Sequence, residues 1–190
     1  MEVLAERRYR PWRRRLWSMA RGLEILEVRV GTGKNMPYDP PGARITAIDP
    51  TRKRADRLAL DVDLRVGDVQ GLEFPDDRFD TGVASLVFCS VPDPILGLRE
   101  LRRVVGPGGR VVLQEHVRSD RRGLAALMDW LNPLIVRLIG ANIDRRTVEN
   151  ARRAGLAVQE VVNVGWGGIF KLILAAQVGA RDANRSARLT

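Results

Sequence analysis

The residues best placed to do chemistry sit just after an apolar run, in Glu27-Val28-Arg29-Val30-Gly31-Thr32-Gly33. Two glycines at the end of a strand let the backbone turn sharply and pass close to a ligand, because no Cβ intervenes and positive φ is open to them. Asp49 follows Gly31 by 18 residues and closes a second apolar run, where a carboxylate can accept both hydroxyls of a ribose. Asp68 comes 19 residues later, in Val66-Gly67-Asp68-Val69, and suits the exocyclic amine of an adenine whose ring packs on Val69. Any one of these aspartates also reads as a helix cap or turn former. The regular series points to a nucleoside site. It is not a dinucleotide fingerprint, since Met36 stands where a third glycine belongs and the acid Glu27 precedes the glycines. A phosphate-binding GxxxxGK[ST] is absent as well.

His116 is the chain's one histidine and its one side chain that titrates near neutrality when unperturbed, which makes it the candidate general base. A hydrogen-bonded structural histidine is the competing reading. Cys89 and Ser90 follow the fourth apolar run, the cysteine reading as packing, and Asp93 lies between two prolines as a turn residue with a lesser claim as base. One cysteine and one histidine exclude a disulfide framework and a histidine- or cysteine-based metal cluster.

Strands and helices must alternate to place these groups. Apolar runs bounded by turn residues predict strands over 23–30, 43–49, 63–66, 79–88, 109–117, 157–164 and 168–177. Helical spacing falls over 51–60, 95–105, 123–139 and 145–154, with Pro133 expected to kink or split the third. The pattern predicts an α/β, doubly wound sheet whose ligands bind beyond the carboxyl ends of its strands. A basic helical segment, 1–22, precedes the main domain, 23–178, and 179–190 is a polar tail expected to be disordered.

Together these residues carry a resemblance. ILEVRVGTG, ITAIDP, RVGDVQGLEFPDDRFDTGVASLVFCSVPDP and LRELRRVVGPGGRVVL resemble the class I S-adenosylmethionine-dependent methyltransferases of the ubiquinone/menaquinone C-methyltransferase type. EHVRS and NIDRRTVENARRAGL are similar, less specifically, to the phospholipid N-methyltransferase and small-thiol methyltransferase branches. The resemblance implies a Rossmann-like methyltransferase fold, a seven-stranded, mostly parallel sheet with an antiparallel last strand. It implies S-adenosylmethionine as cofactor, with Glu27, Gly31, Thr32 and Gly33 along its methionine moiety, Asp49 on the ribose, Asp68 and Val69 on the adenine, and Ser85 on the floor. Arg29 replaces the family's first glycine. A branched cation there either costs strain and occupies the methionine pocket or reaches the cofactor carboxylate. Asp39, in Tyr38-Asp39-Pro40, stands where a tyrosine is commoner.

Composition sets the surroundings. The net charge is +9, yet only Lys34, Lys53 and Lys171 among the 32 basic residues are lysines, so the surplus is a diffuse arginine bias. It thickens in RRYRPWRRRLW, where arginines alternate with Tyr9, Trp12 and Trp17, a mixture that suits an anionic membrane surface or RNA as well as a solvated helix face. Leu124, Leu127, Met128, Leu131, Leu134, Ile135 and Leu138, with Trp130, form a helical stripe read either as core or as a lid over an apolar acceptor. The expected protein is a soluble, cytoplasmic enzyme, methylating a quinone, phospholipid headgroup or thiol, with peripheral contact to an anionic membrane and no nucleic-acid partner. The alternative is a catalytically weakened methyltransferase-fold module that binds membrane or RNA.

Overall fold

The computed structural model describes residues 2–31, 33–51 and 62–177. Helix α1 (Glu2–Ser18) is followed by β1 (Glu24–Val28), β2 (Arg44–Asp49), β3 (Asp63–Val66), β4 (Phe79–Ser85), α2 (Pro94–Val104), β5 (Val105–His116), α3 (Arg122–Ile139), α4 (Thr147–Arg153), β6 (Leu156–Asn163) and β7 (Phe170–Gln177). The strands form one seven-stranded sheet in the order β3-β2-β1-β4-β5-β7-β6. Strands β1 to β5 pair in parallel, and β7 runs antiparallel to both β5 and β6. Strand order reverses between β1 and β4, the crevice where open α/β sheets take ligands.

Each strand lies within or beside its predicted run. The fourth ends early, because Leu86 takes φ +56 and turns the chain out of the sheet before Val87 and Phe88. The first likewise stops at Val28, since Arg29 takes φ +55. Helix α3 is not split at Pro133: it continues as one element to a left-handed C-cap at Gly140, whose N–H returns to Val136 O. The predicted helix over 51–60 and the tail over 179–190 lie outside the described residues but for Thr51.

The core fills both faces of the sheet. On one face Leu98 and Leu101 of α2 share a buried cluster with Leu26, Val28, Ile48, Phe88 and Ile173. On the other, Leu16 and Trp17 of α1 pack with Ile25, Val83, Val112 and Leu172. Trp17 is only 2% exposed, so the aromatic start serves the interior more than a surface. Tyr9 and Trp12 close on the Phe170 ring at 6.1 and 5.3 Å.

Candidate functional site

Beyond the carboxyl ends of β1, β2 and β4 the chain turns three times, and its side chains meet there. Gly31 and Gly33 take φ +60 and +69, so both use the left-handed region that a side chain would strain. Asp49 locks this turn: its Oδ2 accepts from Gly31 N at 3.0 Å, and its Oδ1 accepts from Thr51 N and Oγ1 at 3.0 and 2.7 Å. It is fully buried. In this arrangement both carboxylate oxygens of Asp49 accept from the backbone that follows the first two strands.

Glu27 is the most unusual group of the site. It lies in β1, the strand flanked by β2 and β4, is 1% exposed, and burial raises its pKa to about 8. Its Oε1 accepts from Asn35 Nδ2 at 2.7 Å, whereas Oε2 is buried with no partner. Arg13 of α1 favours its ionised form and Asp39 opposes it. Asp39 repeats the pattern, with a half-buried carboxyl raised to about 6 by desolvation and Oδ1 unpartnered. Each of these two acids thus keeps one buried oxygen without a hydrogen-bond partner.

Two cavities flank this centre. The first, about 290 Å³, is lined by Arg13, Arg29, Gly31, Lys34, Asn35 and Ser85 among others. The second, about 160 Å³, is lined by Arg29, Pro50, Asp68, Val69, Ser90 and Pro92 among others. Asp68 is held in place there: Gln70 donates to it from N and Nε2, both at 3.0 Å, while Gln70 Oε1 accepts from Asp93 N at 2.8 Å. Val69 is buried beside it. Arg29 belongs to both cavities, and its Nη1 donates to Ser90 Oγ. The guanidinium thus lies between two chambers that a nucleoside with a charged tail would need joined.

The loop carrying Ser90 is set by a residue the sequence reading passed over. Glu115, fully buried in β5, accepts from Val87 N at 2.9 Å and Phe88 N at 3.2 Å, and burial still raises its pKa to about 7. Only its neighbour His116 stood out as chemistry. Arg13 was likewise hidden among surface arginines, because sequence spacing does not reveal that α1 lies over the β1 end. Cys89 is buried and its thiol pushed up to about 11, which fits packing rather than nucleophilic chemistry. Asp93 caps α2, accepting from Ile95 N and Leu96 N at 3.0 Å each.

His116 ends β5 half-buried, its ring edge-on to Phe170 at 5.0 Å. Burial lowers its pKa, and Nδ1 has no hydrogen-bond partner. It lines neither of the two cavities. Thr32 lies outside the described residues. Among the described residues no group of three or more His, Cys, Asp or Glu could hold a metal, and no helix is long and apolar enough to cross a membrane.

A profile of the family described as "Methyltransferase domain" matches residues 26–113. A phosphatidylethanolamine N-methyltransferase from Cereibacter sphaeroides is 37% identical over 57% of this chain and 58% of its own. A demethylmenaquinone methyltransferase from Clavibacter sepedonicus is 32% identical over 87% of this chain and 76% of its own. The chain thus spans little more than half the length of the first of these relatives. Among solved structures, the cyclase SpnF superposes with a TM-score of 0.72 at 19% identity, covering 92% of this chain and 82% of its own. A methyltransferase from Thermotoga maritima gives 0.71 at 19% identity, covering 92% and 91%. Likeness at that identity speaks for the fold alone, and the cyclase shows how far reactions diverge upon it.

Proposed function

The chain belongs to the class I S-adenosylmethionine-dependent methyltransferases, and on that footing we propose that it transfers a methyl group to a small, apolar acceptor. The observation that carries the reading is that Arg29 lines two cavities at the strand ends, one at the Gly31 turn and one at Asp68 and Val69. The donor set fits the cofactor. Glu27 is an acceptor lacking a cation near the glycine turn, and Asp68 over Val69 offers an acceptor beside an apolar face. In this reading Glu27, Gly31, Thr32 and Gly33 hold the methionine end and Asp49 shapes their turn. Ser85 floors the chamber, and Asp68 and Val69 take the adenine.

When bound, S-adenosylmethionine supplies an electrophilic methyl on a sulfonium, which an acceptor lone pair displaces in line. The protein's part is then positioning and, for an acceptor that arrives protonated, removal of that proton. His116 is the residue we assign to the proton: burial keeps it neutral at pH 7, and it ends a strand next to those carrying the cofactor residues. The acceptor classes the relatives suggest are quinone and phospholipid headgroup, to which the sequence resemblance adds thiol.

The test is calorimetric titration with S-adenosylmethionine, followed by release of S-adenosylhomocysteine in the presence of a quinol, phosphatidylethanolamine or an alkyl thiol. Binding plus turnover with one of the three supports the reading. Arg29 across the groove favours a second reading, a weakened binding module. It is supported if the native chain fails to bind the cofactor and Arg29→Gly restores binding.

A further inference from the structure

Helix α3 presents an apolar face that none of the described residues covers. Ala125 and Met128 are buried, but Leu127, Leu134 and Leu138 are 48%, 54% and 69% exposed and Trp130 is 76% exposed. At 3.6 residues per turn these four fall within about 80° of one another along one side of the helix, about 80° or more from the buried pair. The core reading of this stripe therefore holds for one of its edges only. Monomeric proteins rarely leave a contiguous patch of this kind without use.

One charge flanks the stripe: Arg137, exposed about 20° around the helix from Trp130. Arg122 is exposed in the helix's first turn, on another side. The helix's only acid, Asp129, is engaged by Arg118 at 2.6 Å. A leucine–tryptophan stripe with arginine at its flank and at the helix start has the composition of a helix that lies in the plane of an anionic bilayer, with Trp at headgroup depth. Two copies of the chain meeting through this face would bring arginines together in a protein of net charge +9.

We infer that α3 is a docking surface for anionic membrane, entering the headgroup layer through Leu127, Trp130, Leu134 and Leu138. The helix is also wired to the groove. Asn132 Nδ2 donates to Asn142 Oδ1 at 3.2 Å, and Asn142 donates from N and Nδ2 to Cys89 O at 2.7 and 3.2 Å, next to Ser90. The inference stands on α3 itself and does not require the cofactor reading.

Vesicle cosedimentation of the full chain tests it, using phosphatidylcholine alone and phosphatidylcholine doped with phosphatidylglycerol. The native protein should partition onto the doped vesicles and hardly onto the neutral ones, with binding weakened by salt. Trp130→Ser with Leu134→Ser should lower partitioning roughly tenfold or more. Arg122→Glu with Arg137→Glu should lower it on the order of tenfold on doped vesicles. Circular dichroism checks that these exposed substitutions leave the fold intact. Arg10→Glu with Arg14→Glu on α1 should change partitioning far less. Failure to bind doped vesicles, binding indifferent to the α3 substitutions, loss confined to the α1 variant, or self-association abolished by Trp130→Ser without lipid binding would each overturn the inference.

Discussion

The guanidinium of Arg29 donates to Ser90 Oγ, and Arg29 lines both the chamber at the Gly31 turn and the chamber beside Asp68. Arg29 does this from φ +55, a conformation natural to glycine and strained for a branched side chain. The residue is at once a backbone misfit and an internal competitor for the groove. Arg29→Gly should therefore stabilise the fold by about 1 kcal/mol and tighten S-adenosylmethionine binding about tenfold. Arg29→Ala should open the groove similarly while keeping the strain. Denaturant unfolding and calorimetric titration of the two variants separate these effects. Weaker cofactor binding by both would show that the guanidinium is a ligand for the cofactor carboxylate.

Glu27 makes the protein pH-sensitive in a defined direction. Its folded-state pKa is raised to about 8 from an ordinary 4.5, so the folded chain holds a proton that the unfolded chain releases. Stability therefore falls as pH rises from about 4.5 towards 8 and levels off above. Glu115, raised to about 7, adds to the same decline. Melting temperature against pH should slope downward across this window, and Glu27→Gln should make the slope shallower. The cofactor's ammonium reverses the preference by favouring the carboxylate. Binding should therefore release a proton, visible as buffer-dependent enthalpy, and affinity should rise with pH up to about 8. Glu27→Gln should bind roughly tenfold more weakly, with that pH dependence gone.

The parts of this molecule legible in its sequence are those governed by local pattern. Apolar runs bounded by turn residues mark the strands, and the spacing from Gly31 to Asp49 to Asp68 marks their carboxyl ends. What stayed hidden depends on contacts between distant segments. Arg13 looks like its neighbours until α1 packs over β1, and the stripe on α3 looks like core until only Ala125 and Met128 prove to be covered. Asp49 fits both a ribose ligand and a turn lock by sequence, and only the partners of its two oxygens decide what it holds here.

Two aspartates linked through Gln70 should behave differently when truncated. Asp93 caps α2 through two backbone donors, so Asp93→Ala should lose about 1 kcal/mol of stability and leave cofactor affinity intact. Asp68 is exposed and oriented by Gln70 towards the smaller cavity, so Asp68→Ala should hardly change stability and should weaken cofactor binding about tenfold. Paired unfolding and titration measurements check both. An affinity loss in Asp93→Ala equal to that in Asp68→Ala would mean that the loop, rather than either carboxylate, is what the cofactor senses.

His116 can be tested as a base without mistaking packing for chemistry. Its ring rests on Phe170, so removal disturbs an aromatic contact whatever else it does. His116→Asn should leave S-adenosylmethionine affinity unchanged and lower kcat roughly a hundredfold with an acceptor that must lose a proton. Native activity should hold through neutrality and fall only in acid, because burial keeps the imidazole neutral below its ordinary 6.5. The discriminating observation is rescue. Raising the pH deprotonates the acceptor in solution and should restore the variant's turnover, since the missing base is then no longer required. A packing role predicts a deficit that pH does not repair, and unchanged turnover removes His116 from the reaction altogether.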